Sequence, residues 1–152
     1  MTSRIGLREV LRRVAPAMVL WLAIGHAAVA EEEKEKPDPV DAAYEACIEK
    51  DPSTAGMLGC AGEAEAAWDA ELNAAYKALS AELKDEALES LKQAQRAWIA
   101  QRDREYALHE EILRQLQGTM WGPVMSDQRV TIVKNRTLQL RALKSFLDEG
   151  RP

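Results

Sequence analysis

Residues 91–103 read LKQAQRAWIAQRD, and steps of three and four from Leu91 land on Gln95, Trp98 and Arg102. A leucine, an amide, an indole and a guanidinium therefore share one helical stripe. No proline or glycine interrupts the stretch, which predicts a helix whose inward face carries polar groups among apolar ones. Such groups need partners on neighbouring helices, because an unpaired buried charge is strongly destabilising.

The same period continues on both sides. Leu88, Leu91, Trp98, Ile99, Tyr106, Leu113 and Leu116 predict one long helix of about 33 residues. Before it, Ala61, Ala64, Trp68, Leu72, Ala75, Tyr76, Leu79 and Leu83 form a second series, with Ser53 or Thr54 as its cap and a sharp turn near Lys84 and Asp85. After it, Val130, Val133, Thr137, Leu140, Leu143 and Leu147 form a third, which Gly150 ends. Between them GTMWGP, residues 118–123, holds two glycines and a proline and is expected to be a loop. A shorter series, Val40, Ala43, Tyr44, Cys47 and Ile48, stops at Asp51-Pro52-Ser53. Aromatic residues make up only 5% of the chain, which favours helices over a sheet. The fold expected is all-α: an antiparallel three-helix bundle with a short disulfide-tethered N-terminal helix. The long helix should overhang its neighbours, and the tethered helix should cover the excess around Leu108, Ile112 and Leu116.

The tether is Cys47–Cys60, the only two cysteines of the chain, with twelve residues between them. In an oxidising compartment such a pair reads as one disulfide, and closing a loop of that size contributes roughly 3 kcal/mol. Residues 1–30 point to that compartment. They carry Arg4, Arg8, Arg12 and Arg13, then an apolar run from Val14 to Ile24, then Ala28-Val29-Ala30 as a cleavage tripeptide. This is the pattern of a signal peptide, and the run is short for a bilayer span, so no stable membrane insertion is expected after cleavage. EEEKEKPDP, residues 31–39, reads as a charged flexible tether, leaving residues 40–149 as the helical domain. A periplasmic or secreted location follows.

The leader holds four Arg and one Glu, so the chain without it has 16 basic and 24 acidic residues, a net charge of −8. That balance excludes nucleic acid as a natural partner. It suits solubility, and it also suits attraction to a cationic protein.

Helix-to-helix partners for the polar stripe are at hand in WDAELNAAY and near Thr137. Asp69, Asn73, Gln95, Arg102, Asp103 and Arg136 are expected to join in a cross-helix network that fixes register. For Arg102 a second reading stands beside it, with the aliphatic stem along Trp98 and the head in water.

At these residues the sequence resembles the lysozyme inhibitor LprI family of small exported bacterial proteins. The resemblance lies in a cysteine pair before WDAELNAAYKAL (68–79), then LKQAQRAWIAQRD (91–103), GTM (118–120) and NRTLQLRAL (135–143). Asp69, Leu72, Asn73 and Tyr76 match one motif; Leu91, Gln95, Arg96, Trp98, Arg102 and Asp103 match the other. The resemblance implies a helical domain and binding of lysozyme in the cell envelope, which protects peptidoglycan. One departure is visible: where relatives often carry a second cysteine pair, this chain has Tyr106 and, approximately, Gln128. A looser junction between the last two helices is the expected consequence.

Catalysis is poorly provided for. His109 is the only histidine outside the leader, Leu113 stands where a zinc helix needs a second one, and no glycine-rich phosphate loop occurs. No cofactor, metal or catalytic residue is expected, and Glu105 is expected to pair with His109 on the surface. The remaining functional readings are both binding roles. In one, an acidic domain meets a cationic lysozyme with Met120 and Trp121 as an apolar contact, unless Trp121 folds back to cap the bundle end. In the other, helix faces bind a different envelope protein, as a scaffold would.

Overall fold

The structure, a computed structural model, describes residues 36–151. The expected signal peptide at 1–30 and most of the expected tether lie outside the described residues. Among the described residues there are four α-helices and no strand: α1 (Pro39–Lys50), α2 (Thr54–Glu82), α3 (Asp85–Leu113) and α4 (Trp121–Gly150).

Local chemistry sets each boundary. Asp38 caps α1 by accepting the Val40 N–H at 3.0 Å, with Pro39 in the first turn, where its missing N–H is harmless. The last residues of the expected tether are therefore part of the helix start. Ser53 caps α2 through the Gly56 N–H at 3.0 Å, so that helix begins at Thr54, seven residues before the apolar series. The turn falls at Leu83 and Lys84, both extended, and Asp85 opens α3 with φ of 50°, a left-handed value that Asp tolerates better than most residues. Asp85 and Glu86 then sit in the first turn of α3, where the helix dipole favours carboxylates.

Two expectations are corrected at the other end of α3. That helix stops at Leu113, and the backbone tightens through Gln115 N–H to Ile112 O at 2.9 Å and Leu116 N–H to Leu113 O at 3.2 Å. Loop geometry is confined to the residues around Gly118, whose φ is 95°, and α4 already begins at Trp121. Pro123 is tolerated because it falls in the first turn, where no intrahelical donor is needed. The three long helices consequently have 29, 29 and 30 residues, and nothing overhangs.

The tightest packing is between α2 and α4. Thr137 Oγ1 donates to Trp68 O at 3.3 Å, Arg141 pairs with Glu71 at 2.6 Å, and Arg151 pairs with Glu82. These pairs keep a nearly constant offset in sequence, so the two helices run side by side in the same direction. Small residues permit the approach: Ala61, Ala64 and Ala75 alternate with Trp68, Leu72 and Leu79 on α2 and face Val130, Val133, Thr137 and Leu140 on α4. Helix α3 runs back alongside this pair with Leu91 its one buried residue; it is docked by long side chains. Helix α1 buries no residue completely and crosses the seam of α2 and α4. The Cys47–Cys60 disulfide is formed. There are thus three long helices and one short disulfide-tethered one, and the best-packed pair, the first and third of the long helices, runs parallel. Helix α1 does not cover the end of α3, since Leu108 stays 56% exposed.

Candidate functional site

Along the inner face of α3, aromatic rings and guanidinium groups alternate. Trp98 carries Arg136 of α4 at 5.9 Å from its ring centre and Arg102 at 5.4 Å; Arg102 also lies 5.8 Å from the ring of Tyr106, which carries Arg129 of α4 at 4.8 Å. The i, i+4, i+8 spacing of Trp98, Arg102 and Tyr106 places them in one row, and Arg129 and Arg136, two turns apart on α4, face it. Cation–π contacts of this kind are worth about 0.5–1 kcal/mol each at partly exposed sites.

The polar residues expected to form one network fall into two groups on either side of Trp98. In the first, Arg136 Nε donates to Gln95 Oε1 at 3.0 Å, and Arg136 Nη1 to Gln139 Oε1 at 2.6 Å. In the second, Arg102 holds Asp103 at 2.8 Å and reaches Asp69 of α2 at 3.8 Å. Burial works against the Arg102 charge, but the carboxylate of Asp103, then Tyr106 and Asp69, more than offset it and hold the guanidinium pKa above its ordinary value. Asn73 stays within α2, donating to the carbonyl and carboxylate of Asp69. Leu72 is buried, and Tyr76 packs against the core.

Tyr106 stands where the family resemblance led to the expectation of a further cysteine. Its hydroxyl donates to Arg129 O of α4 at 3.4 Å, and its ring supports the Arg129 guanidinium. Burial, and after it the carboxylate of Glu65, push the phenol pKa far above its usual value, so it remains a neutral donor. The junction expected to be loose is closed by a noncovalent contact one residue from Gln128, which is itself exposed.

Besides the disulfide expected from the cysteine spacing, ionic contacts hold α1. Asp41 accepts from Trp68 Nε1 at 3.3 Å and from Lys134 Nζ at 2.6 Å; Asp38 pairs with Arg141 at 2.8 Å. Lys134 and Arg141 also lie over the Trp68 ring at 5.8 and 5.5 Å. The only available signal was the Lys134, Thr137, Arg141 spacing, which puts two cations on either side of a core threonine.

At the start of α4 an apolar cluster faces outward. Met120 is 61% exposed, Leu58, Leu116 and Val124 are exposed to a lesser degree, and Trp121 is half-buried. Leu58 of α2 belongs with them, because its side chain lies 3.6 Å from where a Cβ on Gly122 would sit. His109, nearby on α3, has a buried Nδ1 without a hydrogen-bond partner. Glu105, expected to pair with it, accepts instead from Gln101 at 2.9 Å. Among the described residues no group of three His, Cys, Asp or Glu side chains could hold a metal ion, and no helix is long and apolar enough to cross a membrane.

Comparison with known proteins matches the chain to a family model and to solved structures. The family model described as lysozyme inhibitor LprI matches residues 46–140, a span that contains the ladder on α3 and the cluster around Met120. The crystal structure of an uncharacterized protein from Burkholderia thailandensis is similar at 34% identity and a TM-score of 0.66, covering 70% of this chain and 53% of that one. The chain thus spans about half the length of that protein. No curated protein matches the sequence.

Proposed function

Because the chain belongs to the lysozyme inhibitor LprI family, we propose that it is exported through its leader, binds a cationic lysozyme in the cell envelope and slows the enzyme's attack on peptidoglycan. The observation that carries this reading is the exposed apolar cluster of Leu58, Met120 and Val124 at one end of an acidic domain. Long-range charge brings the basic enzyme in, and an apolar anchor with a half-buried tryptophan beside it supplies the short-range contact. The helical ladder on α3 serves this role by keeping register, and the outer surfaces do the recognising.

The test is lysis of a peptidoglycan suspension by lysozyme, followed as turbidity, with the purified protein lacking residues 1–30. An approximately tenfold molar excess should slow lysis, and Met120→Ala should raise the half-inhibitory concentration at least about fivefold, as removal of a central apolar anchor does. Unchanged lysis at that excess refutes the proposal for the lysozyme used. Recovery of a non-lytic envelope protein on the immobilised domain, with lysis unaffected, would point to the scaffold role instead.

A further inference from the structure

At the opposite end of α4 from Met120, the last turn of α2, the start of α3 and the second half of α4 enclose a groove of about 520 Å³. Its walls are apolar. Leu79 and Leu91 form the floor, and Leu143 and Phe146 stand at the mouth, 43% and 65% exposed. Leu143, Phe146 and Leu147 lie beyond Leu140, where the family match ends, and the groove is separate from the Met120 cluster on which the lysozyme reading rests.

One cation lines this groove. Arg136 spends two of its five N–H donors, on the neutral amide oxygens of Gln95 and Gln139. Its companions differ: Arg102 has Asp69 and Asp103, Arg129 has Glu110, and Arg141 has Asp38 and Glu71. Among the described residues Arg136 has no carboxylate within ion-pair distance. Burial alone acts on it and lowers its pKa from the ordinary arginine value. A half-buried guanidinium with donors to spare, set at the Ala94 end of an apolar trough, is an unmatched charge that an anionic ligand would neutralise.

We propose that this groove binds a single-chain acyl carboxylate, with the head group paired to Arg136 and the hydrocarbon tail laid over Leu79, Leu91, Leu143 and Phe146. The chemistry follows from the lining. One unmatched cation calls for a monoanion, and the planar guanidinium fork suits a carboxylate. The apolar walls call for an alkyl chain, whose methylenes gain by leaving water. The volume falls within the range of about 300–1,000 Å³ typical of small-molecule sites. Covering Leu143 and Phe146 also removes an exposed apolar patch that a monomeric protein otherwise leaves in water.

The experiment is calorimetric titration of the delipidated product of the full-length chain with dodecanoate, below its micellar concentration, beside dodecanol and dodecyltrimethylammonium. Saturable one-to-one binding of dodecanoate is expected. Arg136→Met should weaken it at least about tenfold and leave dodecanol unchanged, as loss of a charge-assisted pair predicts. Arg136→Lys, which keeps the charge, should retain most of the affinity, and Leu143→Glu, at an exposed position, should weaken dodecanoate and dodecanol alike. Absence of saturable binding overturns the proposal, as does equal affinity of the wild type and Arg136→Met for dodecanoate. A dimer that Leu143→Glu dissociates overturns it in favour of a second copy closing the groove. An apolar peptide that displaces dodecanoate through its free C-terminal carboxylate overturns it in favour of a protein ligand.

Discussion

The carboxylate of Asp41 accepts the indole N–H of Trp68 at 3.3 Å, joining the first helix to the most deeply buried side chain of the second. Trp68 is fully buried, so its N–H has no water to turn to, and the other oxygen of Asp41 holds Lys134 at 2.6 Å. Asp41→Ala should therefore cost about 1–3 kcal/mol, the range for stranding a buried donor. Asp41→Asn, which can still accept from the indole, should cost less. Urea melts followed by circular dichroism measure both. An Asp41→Ala loss no larger than that of the exposed Glu45→Ala would remove Asp41 as the anchor of α1.

Because α1 buries no residue completely and packs only the partly buried Val40 and Tyr44 against the core, its docking leans on the disulfide and on ionic contacts. Replacing Cys47 and Cys60 by serine should lower stability by roughly 3 kcal/mol. The loss should also be local at first: amide exchange in α1 should accelerate while Ala61 to Leu79 keep their protection. If α2 loses protection to the same extent, α1 is integral to the core and not a strap across it.

Arg102 stands between the two readings available from sequence. Its side chain is 24% exposed, its nearest carboxylate belongs to the adjacent residue, and Asp69 is 3.8 Å away with about half its surface in water. Screening limits what such pairs contribute. Arg102→Met, which keeps the stem packed along Trp98, should cost about 1 kcal/mol, whereas Arg102→Ala should cost about twice that through lost packing. The difference between Arg102→Met and wild type should shrink in high salt, since its source is ionic. A loss well above that for Arg102→Met, insensitive to salt, would mean a buried network after all.

Which faces are inward was legible because a helix repeats every 3.6 residues. In the α2 series Ala61, Ala64, Trp68, Leu72, Ala75 and Leu79 are buried and Tyr76 and Leu83 half-buried; in the α4 series Val130, Val133, Thr137 and Leu140 are buried, Leu147 is half-buried and Leu143 is exposed. Depth was not legible. The equally periodic series on α3 buries only Leu91, because periodicity reports the direction of a stripe and not how closely another helix approaches it. Large side chains such as Trp98 and Tyr106 hold α3 at a distance and bring their own cations. The ends misled where cap and turn chemistry lie outside the apolar pattern: α3 stops at Leu113, short of Leu116, and Pro123 hid the first turn of α4, whereas the Ser53 cap of α2 was legible. The ionic hold on α1 joins Asp38 to Arg141 and Asp41 to Lys134, pairs so distant in the chain that no local pattern announces them.

Acid should loosen that hold in a defined direction. Burial raises the pKa of Asp38, but the Val40 N–H and the Arg141 guanidinium outweigh it and keep the carboxyl below its ordinary value of 3.8. The folded state therefore prefers the carboxylate more than the unfolded chain does. Stability from this site is fully present above the unfolded value and is lost as pH falls through the lower folded value. Asp38→Asn keeps an N-cap acceptor but not the charge, so it isolates the ionic part. Wild type should exceed Asp38→Asn in urea melts at pH 6 by a margin that narrows below about pH 4 and closes near pH 2, where both side chains are neutral. A margin that persists unchanged to the acid limit would show that Asp38 holds α1 through its shape at the cap, and that the pairing with Arg141 adds nothing.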